Sequence, residues 1–386
     1  MAQGGGCISV GKKQNNLKLY FIAGEASGDL HGSNLIKALL QQQPGAQCRA
    51  WGGDLMESAG ATLVKHYRDL AFMGFAEVLK NLRTILGNLA FCKRDILAYQ
   101  PDALVLIDYP GFNLRIAKWA KQQGIRVVYY IAPQVWAWHQ SRVHAIRRDV
   151  DQMLVILPFE QDFFKKNGVK TEFVGHPLLD ALQLEAQSPK LEVQSVGSDL
   201  PSSNLIALLP GSRRQEVQRI LPVMLSVVPY FPNHRFVIAG ATSLPTAYYQ
   251  PFLSNFPDVQ LVQGRTYELL KQSQAALVKS GTSTLEAALF EVPQVVCYAG
   301  NPFSYAIARR VVQVKYISLV NLILDRPLVK ELIQDQLNPI NIRTALSEIL
   351  QPEQAKSLRT GYTELRKKLG DGGASKRAAE AILKHL

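Results

Sequence analysis

The sequence predicts an α/β protein with two lobes, each built on a parallel sheet covered by helices, and a C-terminal helical segment. Short runs of β-branched and aromatic residues alternate with helical segments, as where LKLYFIA is followed by GEASGD and LHGSNLIKALLQQQ. Such near-continuous apolar runs are typical of strands that are covered on both faces. The alternation stops in a stretch low in aromatic residues, at residues 181–203, and then restarts. A length of 386 residues suits two or three domains of about 150 residues each.

The order of the segments follows from this alternation. Residues 1–16 contain no long apolar run and are expected to be a disordered tail. After the first strand, the first lobe, residues 17–180, is expected to place strands at 103–108, 126–131, 151–157 and 171–175. After a linker at 181–203, the second lobe, residues 204–338, is expected to place strands at 204–210, 235–240, 259–264, 274–280 and 294–300. Residues 339–386 have helical periodicity without a strand, and we expect them to pack back across the cleft between the lobes.

Composition narrows the classes of partner. The 43 Lys and Arg against 31 Asp and Glu give a net charge of +12. Such a surplus favours nucleic acid, a phosphorylated substrate or an acidic membrane surface, and charge does not choose among them. No apolar run reaches the roughly 20 residues of a membrane-spanning helix. The 4 cysteines lie far apart without a C-x-x-C pair, so neither a zinc cluster nor a disulfide framework is expected and a reducing cytoplasm is favoured.

The first strand is followed by a glycine-rich turn, with Gly24, Gly28 and Gly32 in a G-x3-G-x3-G spacing. This spacing matches neither the dinucleotide fingerprint nor the Walker A motif. The glycines are expected to allow a tight turn that presents N–H groups to a ligand, and Glu25 favours sugar hydroxyls over phosphate. The alternative is a structural turn in which Asp29 caps the helix.

The segment LIDYPGFN places Asp108 at the carboxyl end of a strand, the edge where open parallel sheets bind ligands. An acid at that edge can act as a general base, and the alternative is a helix-capping Asp. At the exit of the next strand, Trp136, Trp138 and His139 follow a proline-bearing loop. Packing in the core is the favoured interpretation of these tryptophans. The alternative is that they form a wall of the binding site for a sugar or an acyl chain.

The second lobe carries two loops that suit a nucleotide. In LLPGSRRQE, a strand ends in Pro-Gly and a helix begins, with Ser212 as candidate N-cap and Arg213 at the positive helix end. The helix dipole and the guanidinium both favour a phosphate there. In VKSGTSTLEAAL, Thr282 opens a helix and Glu286 lies one turn in, where it could accept from ribose hydroxyls. The alternative for this second loop is simple helix capping.

Two further patterns allow a functional and a structural interpretation. Asp149 and Asp151 form a D-x-D string, which holds a divalent cation in some sugar transferases. Because the string lies between two arginines and a strand, solvated acids are favoured and no metal site is expected. Residues 75–97 form an amphipathic helical pattern with a basic face, which favours a core helix over a membrane-surface helix.

Taken together, the motifs resemble those of lipid-A-disaccharide synthases, an inverting glycosyltransferase family with two Rossmann-like lobes of the GT-B type. The resemblance runs from about residue 17 to the C-terminus through AGEASGDLHG, WGG, MGFAEVL, DYPGFN, APQVWAW, LPFE, FVGHPL, LLPGSRRQE and SGTSTLEAAL, in this order. The ordered set is specific, whereas each motif alone is not.

The resemblance implies a function and assigns residues to it. The family joins the sugar of a UDP-2,3-diacylglucosamine donor to the 6-hydroxyl of a 2,3-diacylglucosamine 1-phosphate acceptor and releases UDP. The resemblance implies that Asp108 is the catalytic base. Candidate acceptor residues in the first lobe are Glu25, Ser27, Asp29, Asn113 and Trp136. Candidate UDP-binding residues in the second lobe are Arg213, Glu216, Ser280, Gly281, Thr282, Glu286 and Asn321.

The resemblance also implies partners and a location. We expect no cofactor, no metal and no nucleic-acid partner, and a peripheral position on the cytoplasmic face of the inner membrane. The sequence leaves a homodimer open. The rival interpretations are another GT-B enzyme that uses a UDP-sugar, such as a lipid-linked GlcNAc transferase or an epimerase, and a non-catalytic nucleotide-sugar binding protein. The first-turn motif argues against the GlcNAc transferase, which would carry a GGTGGH-like string there.

Overall fold

A computed structural model of the chain describes residues 17–70, 82–137, 141–180, 182, 204–301, 305 and 314–386. The predicted tail at residues 1–16, most of the predicted linker and the start of the predicted amphipathic helix lie outside the described residues. Trp138 and His139 lie outside them as well.

The first lobe contains a sheet of seven strands in the order β3-β2-β1-β4-β5-β6-β7. All of its pairings are parallel. The strands are β1 (Lys18–Ala23), β2 (Gln47–Gly52), β3 (Ala61–His66), β4 (Ala103–Ile107), β5 (Arg126–Tyr130), β6 (Gln152–Val155) and β7 (Thr171–Phe173). The helices among them are α1 (Ala26–Gln42), α2 (Asp54–Ser58), α3 (Leu82–Tyr99), α4 (Pro110–Gln122), α5 (Arg142–Asp149) and α6 (Pro158–Lys166).

The second lobe contains a sheet of six parallel strands in the order β10-β9-β8-β11-β12-β13. The strands are β8 (Leu205–Leu209), β9 (Arg235–Gly240), β10 (Gln260–Gln263), β11 (Ala275–Lys279), β12 (Gln294–Tyr298) and β13 (Lys330–Ile333). The helices of this part and of the C-terminal segment are α7 (Arg214–Leu225), α8 (Gln250–Leu253), α9 (Thr266–Gln272), α10 (Ser283–Leu289), α11 (Leu319–Leu324), α12 (Pro339–Ile349), α13 (Pro352–Leu369) and α14 (Ala374–Leu383).

The predicted fold class is confirmed, and three strands were missed. The central strands β1, β4, β5 and β8 are almost completely buried, which explains their continuous apolar sequence. The missed strands are β2, β3 and β13. The outermost strands β3 and β13 are partly exposed and carry lysine, and β2 includes Gln47 and Arg49. Strands with one solvent-exposed face lack the continuous apolar run on which the prediction relied.

The order of strands fixes where a ligand can bind. In the first sheet the chain winds outwards from β1 on one side and from β4 on the other, and in the second sheet it does so from β8 and β11. Ligands of open parallel sheets bind at the carboxyl ends of the strands at such a switch point. The loops that follow these four strands contain Glu25, Asp108, Arg213 and Ser280.

The C-terminal helix returns to the first lobe. Helix α14 packs along α1, and Gln152 on β6 donates to the carbonyl of Ala381 at 3.0 Å. The Asp180 carboxylate accepts from the backbone N–H groups of residues 373, 374 and 375 at 2.6, 3.0 and 2.7 Å, so it caps the start of α14. These bonds tie the end of the chain to the lobe in which it began.

Helix α3 packs one face on the core and leaves apolar side chains on the other. Leu89, Cys92 and Ile96 are buried, as the favoured core-helix interpretation expects. Leu86 and Leu97 are 57% and 49% exposed. Within the described part of the chain, no helix is both long and apolar enough to cross a membrane.

Candidate functional site

Asp108 lies directly after β4, on a strained stretch of backbone. Asp108 and Tyr109 have φ angles of 44° and 49°, and Ile131, which follows the neighbouring strand β5, has a φ of 64°. The left-handed region is costly for side chains other than glycine, and most costly for a β-branched residue such as Ile131. Such strain clusters at functional sites, where the surrounding structure must hold it in place.

Three neighbours hold this backbone. The carbonyl of Asp108 accepts from the Tyr129 hydroxyl at 2.6 Å and from the Asn113 side-chain amide at 2.8 Å. The Tyr109 ring lies so close to Gly24 that a Cβ there would come within 2.3 Å of it, so the first turn needs glycine for close packing. Asn113 is fully buried and also donates to carbonyls at the ends of β1 and β4, so its side chain braces the site from below.

The Asp108 carboxylate is not a helix cap. Tyr109 occupies the N-cap position of α4. Solvent reaches the Asp108 side chain, yet protein atoms surround it on most sides, and this burial raises its pKa to about 6. The negative charge of Glu25 raises the pKa as well, while the Tyr109 N–H and Arg213 lower it. A carboxylate in this range is ionised at neutral pH and basic enough to take a proton.

The corresponding place in the second lobe is cationic. Arg213 occupies the N-cap position of α7, which corrects the expectation of Ser212 there. Glu216, in the first turn of α7, accepts from the Ser212 N–H at 3.2 Å and from the Lys279 ammonium at 2.8 Å. Lys279 ends β11, so β8 and β11 each contribute a cation at the switch point. Lys279 was not among the predicted site residues, although a lysine that ends a buried strand before a glycine loop is a signal for such a site.

An ion pair joins the two lobes at this site. One terminal nitrogen of Arg213 lies 3.2 and 3.4 Å from the two carboxylate oxygens of Glu25. Glu25 occupies the N-cap position of α1 but makes no capping hydrogen bond with its side chain. The structure therefore brings the first turn of the first lobe and the predicted phosphate loop of the second lobe into contact.

The SGT loop combines satisfied and exposed groups. The Ser280 hydroxyl donates to the carbonyl of Ile317 at 2.8 Å, whereas Thr282 is exposed in the N-cap position of α10, beside Gly281. Glu286 lies in the first turn of α10, and burial raises its pKa. The Tyr267 hydroxyl donates to Glu286 at 3.4 Å.

Asn321 has a structural environment. It is buried in α11, donates to Glu331 and to the carbonyl of Val329, and accepts from the Val329 N–H, each at 2.9 Å. Its side chain therefore joins α11 to β13. The expected contact of Asn321 with UDP stays a prediction.

Asp29 does not cap its own helix, which corrects one of the two interpretations of the first turn. It is the fourth residue of α1, and its buried carboxylate accepts from the backbone N–H groups of Gly53, Leu55 and Met56 at 2.8, 3.2 and 3.1 Å. Asp29 therefore caps α2. Ser27, in the first turn of α1, is exposed and remains a candidate contact.

Trp136 is largely buried, as the core-packing interpretation expects. Its indole N–H donates to Glu160 at 3.0 Å, and Phe159 packs edge-on against its ring. Burial raises the pKa of Glu160 to about 7, and its charge interacts with that of Asp108. Glu160 was not among the predicted site residues. Its carboxylate also accepts from the Leu157 N–H at the start of α6, and its contact with Trp136 depends on the tertiary structure.

The D-x-D acids have structural partners. Asp149 is buried and forms two bonds with Arg148 at 2.6 and 2.7 Å, which corrects the expectation that it is solvated. Asp151 accepts from Lys121 and from the Val127 N–H. Elsewhere in the described part of the chain, no group of three or more His, Cys, Asp or Glu residues is arranged to hold a metal ion.

Residues 19–385 match the sequence family described as lipid-A-disaccharide synthetase. The chain belongs to the lipid-A-disaccharide synthase family. It is 40% identical over 377 residues to the lipid-A-disaccharide synthase of Syntrophus aciditrophicus, covering 96% of this chain and 98% of that protein. It is 39% identical to the one from Geobacter metallireducens, with the same coverage of both chains. Membership of this family makes the chain a glycosyltransferase and confirms the resemblance given by the motifs.

Solved structures confirm the fold of this family member. The UDP-GlcNAc 2-epimerase from Neisseria meningitidis, solved with UDP-GlcNAc bound, superposes with a TM-score of 0.70 at 15% identity, covering 95% of this chain and 100% of that one. The glycosyltransferase of kitacinnamycin superposes with a TM-score of 0.66 at 15% identity, covering 96% of this chain and 99% of that one. At such identity the likeness shows the two-lobed GT-B fold alone.

Proposed function

We propose that this chain transfers the sugar of UDP-2,3-diacylglucosamine to the 6-hydroxyl of 2,3-diacylglucosamine 1-phosphate and releases UDP. The observation that carries the proposal is the contact of Arg213 in the second lobe with Glu25 in the first, at 3.2 Å, close enough to Asp108 that the charges of both residues shift its pKa. A base on one side and a cation on the other suit a hydroxyl that attacks and a diphosphate that leaves. The family membership supplies the substrates of the proposal.

The donor would lie on the second lobe. Arg213, Lys279 and the N-terminus of the 12-residue helix α7 offer positive charge to the two phosphates. Glu286, one turn into α10, would accept from the ribose hydroxyls. Thr282 and Gly281 lie at the start of the same helix and would contact the nucleotide.

The acceptor would lie on the first lobe with its 6-hydroxyl at Asp108. As the hydroxyl oxygen forms a bond to the anomeric carbon of the donor, its proton passes to the Asp108 carboxylate. The bond between the anomeric carbon and the UDP oxygen breaks at the opposite face, and the electron pair leaves with UDP. Arg213 and Lys279 would stabilise the charge that develops on the diphosphate. No step requires a metal ion.

A UDP-release assay tests this function. With both lipid substrates in detergent, the full chain should release UDP and form the tetraacyl disaccharide 1-phosphate in equal amounts. The rate should be unchanged in EDTA, because arginine and lysine meet the phosphate charge that a divalent cation would otherwise meet.

Controls separate the rival activities. UDP release from the donor in the absence of acceptor would indicate an epimerase or a hydrolase instead. UDP binding without turnover would indicate a binding protein. A rate abolished by EDTA and restored by Mg²⁺ or Mn²⁺ would contradict the metal-free mechanism.

We also propose that the chain attaches peripherally to the cytoplasmic face of the inner membrane through the outer face of α3. Leu86 and Leu97 lie eleven residues, or about three turns, apart and therefore share a face. The exposed Arg83 and Arg94 flank them on the same helix. Apolar side chains with neighbouring basic residues suit an anionic lipid surface, where each basic residue contributes about 1 kcal/mol.

Leu86→Glu should weaken the binding of the protein to anionic vesicles, because it places a negative charge where an apolar side chain meets the lipid. Since Leu86 is 57% exposed, the variant should fold and keep its melting temperature. Sedimentation with phosphatidylglycerol-containing vesicles, at low and high salt, measures the effect. Ile340→Glu is a matched control, because Ile340 is 77% exposed on α12. Equal sedimentation of wild type and Leu86→Glu would exclude α3 as the attachment face.

A further inference from the structure

The Arg213 guanidinium has two carboxylate neighbours, Glu25 and Glu216. One terminal nitrogen binds both oxygens of Glu25, and the other lies 3.7 Å from Glu216. Glu216 has a second cation, Lys279, at 2.8 Å. Loss of Arg213 would therefore leave Glu216 with its contact to Lys279, whereas Glu25 would lose the ion pair described here.

The same face of Arg213 cannot hold Glu25 and a diphosphate together. Guanidinium groups bind carboxylates and phosphates through the same fork of N–H donors. The Arg213 and Glu25 side chains are 49% and 38% exposed, and ion pairs at this exposure are weak enough to exchange. A diphosphate with two negative charges is the stronger partner and would replace Glu25.

We propose that Glu25 is a positioning residue that holds Arg213 until the diphosphate of the donor takes its place, and that its released carboxylate then strengthens Asp108 as a base. The proposal rests on the proposed function, since it requires the donor diphosphate at Arg213. It links the two half-sites: the base becomes stronger when the donor is bound.

The charges around Asp108 determine the direction in which its pKa changes. Glu25 raises the pKa of Asp108 and Arg213 lowers it. Two other titratable groups interact electrostatically with Asp108. Tyr129 is a phenol whose pKa is raised by burial, so it is neutral, and Glu160 is a buried acid that accepts from the Trp136 indole. Neither of these two changes partner when a diphosphate binds Arg213. Neutralising Arg213 therefore removes its lowering effect and leaves the raising effect of Glu25, so the pKa of Asp108 increases.

Glu25→Gln tests the proposal through two readouts that a structural role would not produce together. UDP should bind the full-length variant about 1.5- to 5-fold more tightly than wild type at low salt in calorimetry, because the diphosphate no longer competes with a carboxylate for Arg213. The difference should shrink at high salt, which screens the exposed pair. The acid limb of the pH profile of kcat/KM for the acceptor should move to lower pH, since a charge that raises the pKa of Asp108 is gone.

Two further variants make the outcomes distinct. Glu172→Gln removes the same charge from the exposed edge strand β7 and should leave UDP affinity and the pH profile unchanged. Arg213→Ala should weaken UDP binding, and Glu25→Gln should have no added effect in that background. Unchanged or weaker UDP binding in Glu25→Gln, together with an Arg213→Ala variant that does weaken it, would overturn the inference and leave the proposed function standing. UDP binding unaffected by Arg213→Ala would overturn the proposed donor site itself.

Discussion

Asp108→Asn should lower kcat by about 10²- to 10⁴-fold, the usual contribution of a general base. Asparagine has nearly the same shape, and it is one of the side chains that best tolerates the left-handed backbone with a φ of 44° at this position. The substitution therefore removes the proton acceptor without adding strain. Single-turnover and steady-state rates of disaccharide formation measure the effect.

The stability of the same variant separates catalysis from folding. Because burial raises the pKa of Asp108 to about 6, its ionised form is disfavoured in the folded state, and the carboxylate reduces stability as the pH rises through this value. The melting temperature of Asp108→Asn at pH 7 should therefore equal or exceed that of wild type. UDP affinity should also equal or exceed that of wild type, because the Asp108 charge no longer competes with the diphosphate for Arg213. In wild type, kcat/KM should fall as the pH decreases through about 6.

Asp162→Asn changes an exposed aspartate on α6 and should leave the rate unchanged. A kcat of Asp108→Asn within a few-fold of wild type would mean that another group takes the acceptor proton.

Arg213→Ala should lower kcat/KM for the donor by about 10- to 100-fold, which corresponds to roughly 1.5–3 kcal/mol for a charge-assisted contact with phosphate. Arg213→Lys keeps the charge but loses the fork of donors. Its kcat/KM for the donor should therefore lie between that of Arg213→Ala and that of wild type. Initial rates at varied donor and saturating acceptor measure the effect.

Arg214 is a matched control for this prediction. It carries the same charge in the next position, but its guanidinium lies over the Tyr248 ring at 4.9 Å, and it makes no contact with Glu25 in the described ion pairs. Arg214→Ala should change kcat/KM for the donor far less than Arg213→Ala does. Near-normal kinetics of Arg213→Ala, or equal losses in both variants, would remove Arg213 from the donor site.

Much of the fold was predictable because its signals are local. The continuous apolar runs of β1, β4, β5 and β8 arise from strands covered on both faces, and they gave the parallel α/β fold. The edge strands β3 and β13 were not predicted, because charged residues on their solvent-exposed face interrupt the apolar run. The roles of the individual site residues stay predictions until the variants are measured.

The family, the two parallel sheets and the loops that carry the site residues could be predicted from the amino-acid sequence, because motifs and periodicity are properties of neighbouring residues. These loops contain Glu25, Asp108, Arg213 and Glu286. The tertiary structure alone decided which side chains meet. Glu25 and Arg213 are 188 positions apart, and their ion pair depends on how the lobes face each other. Likewise, Asp29 caps α2 rather than its own helix, because β1 and β2 are adjacent in the sheet and bring that helix start beside it. Pairings of this kind follow from strand order and lobe packing, which no local pattern encodes.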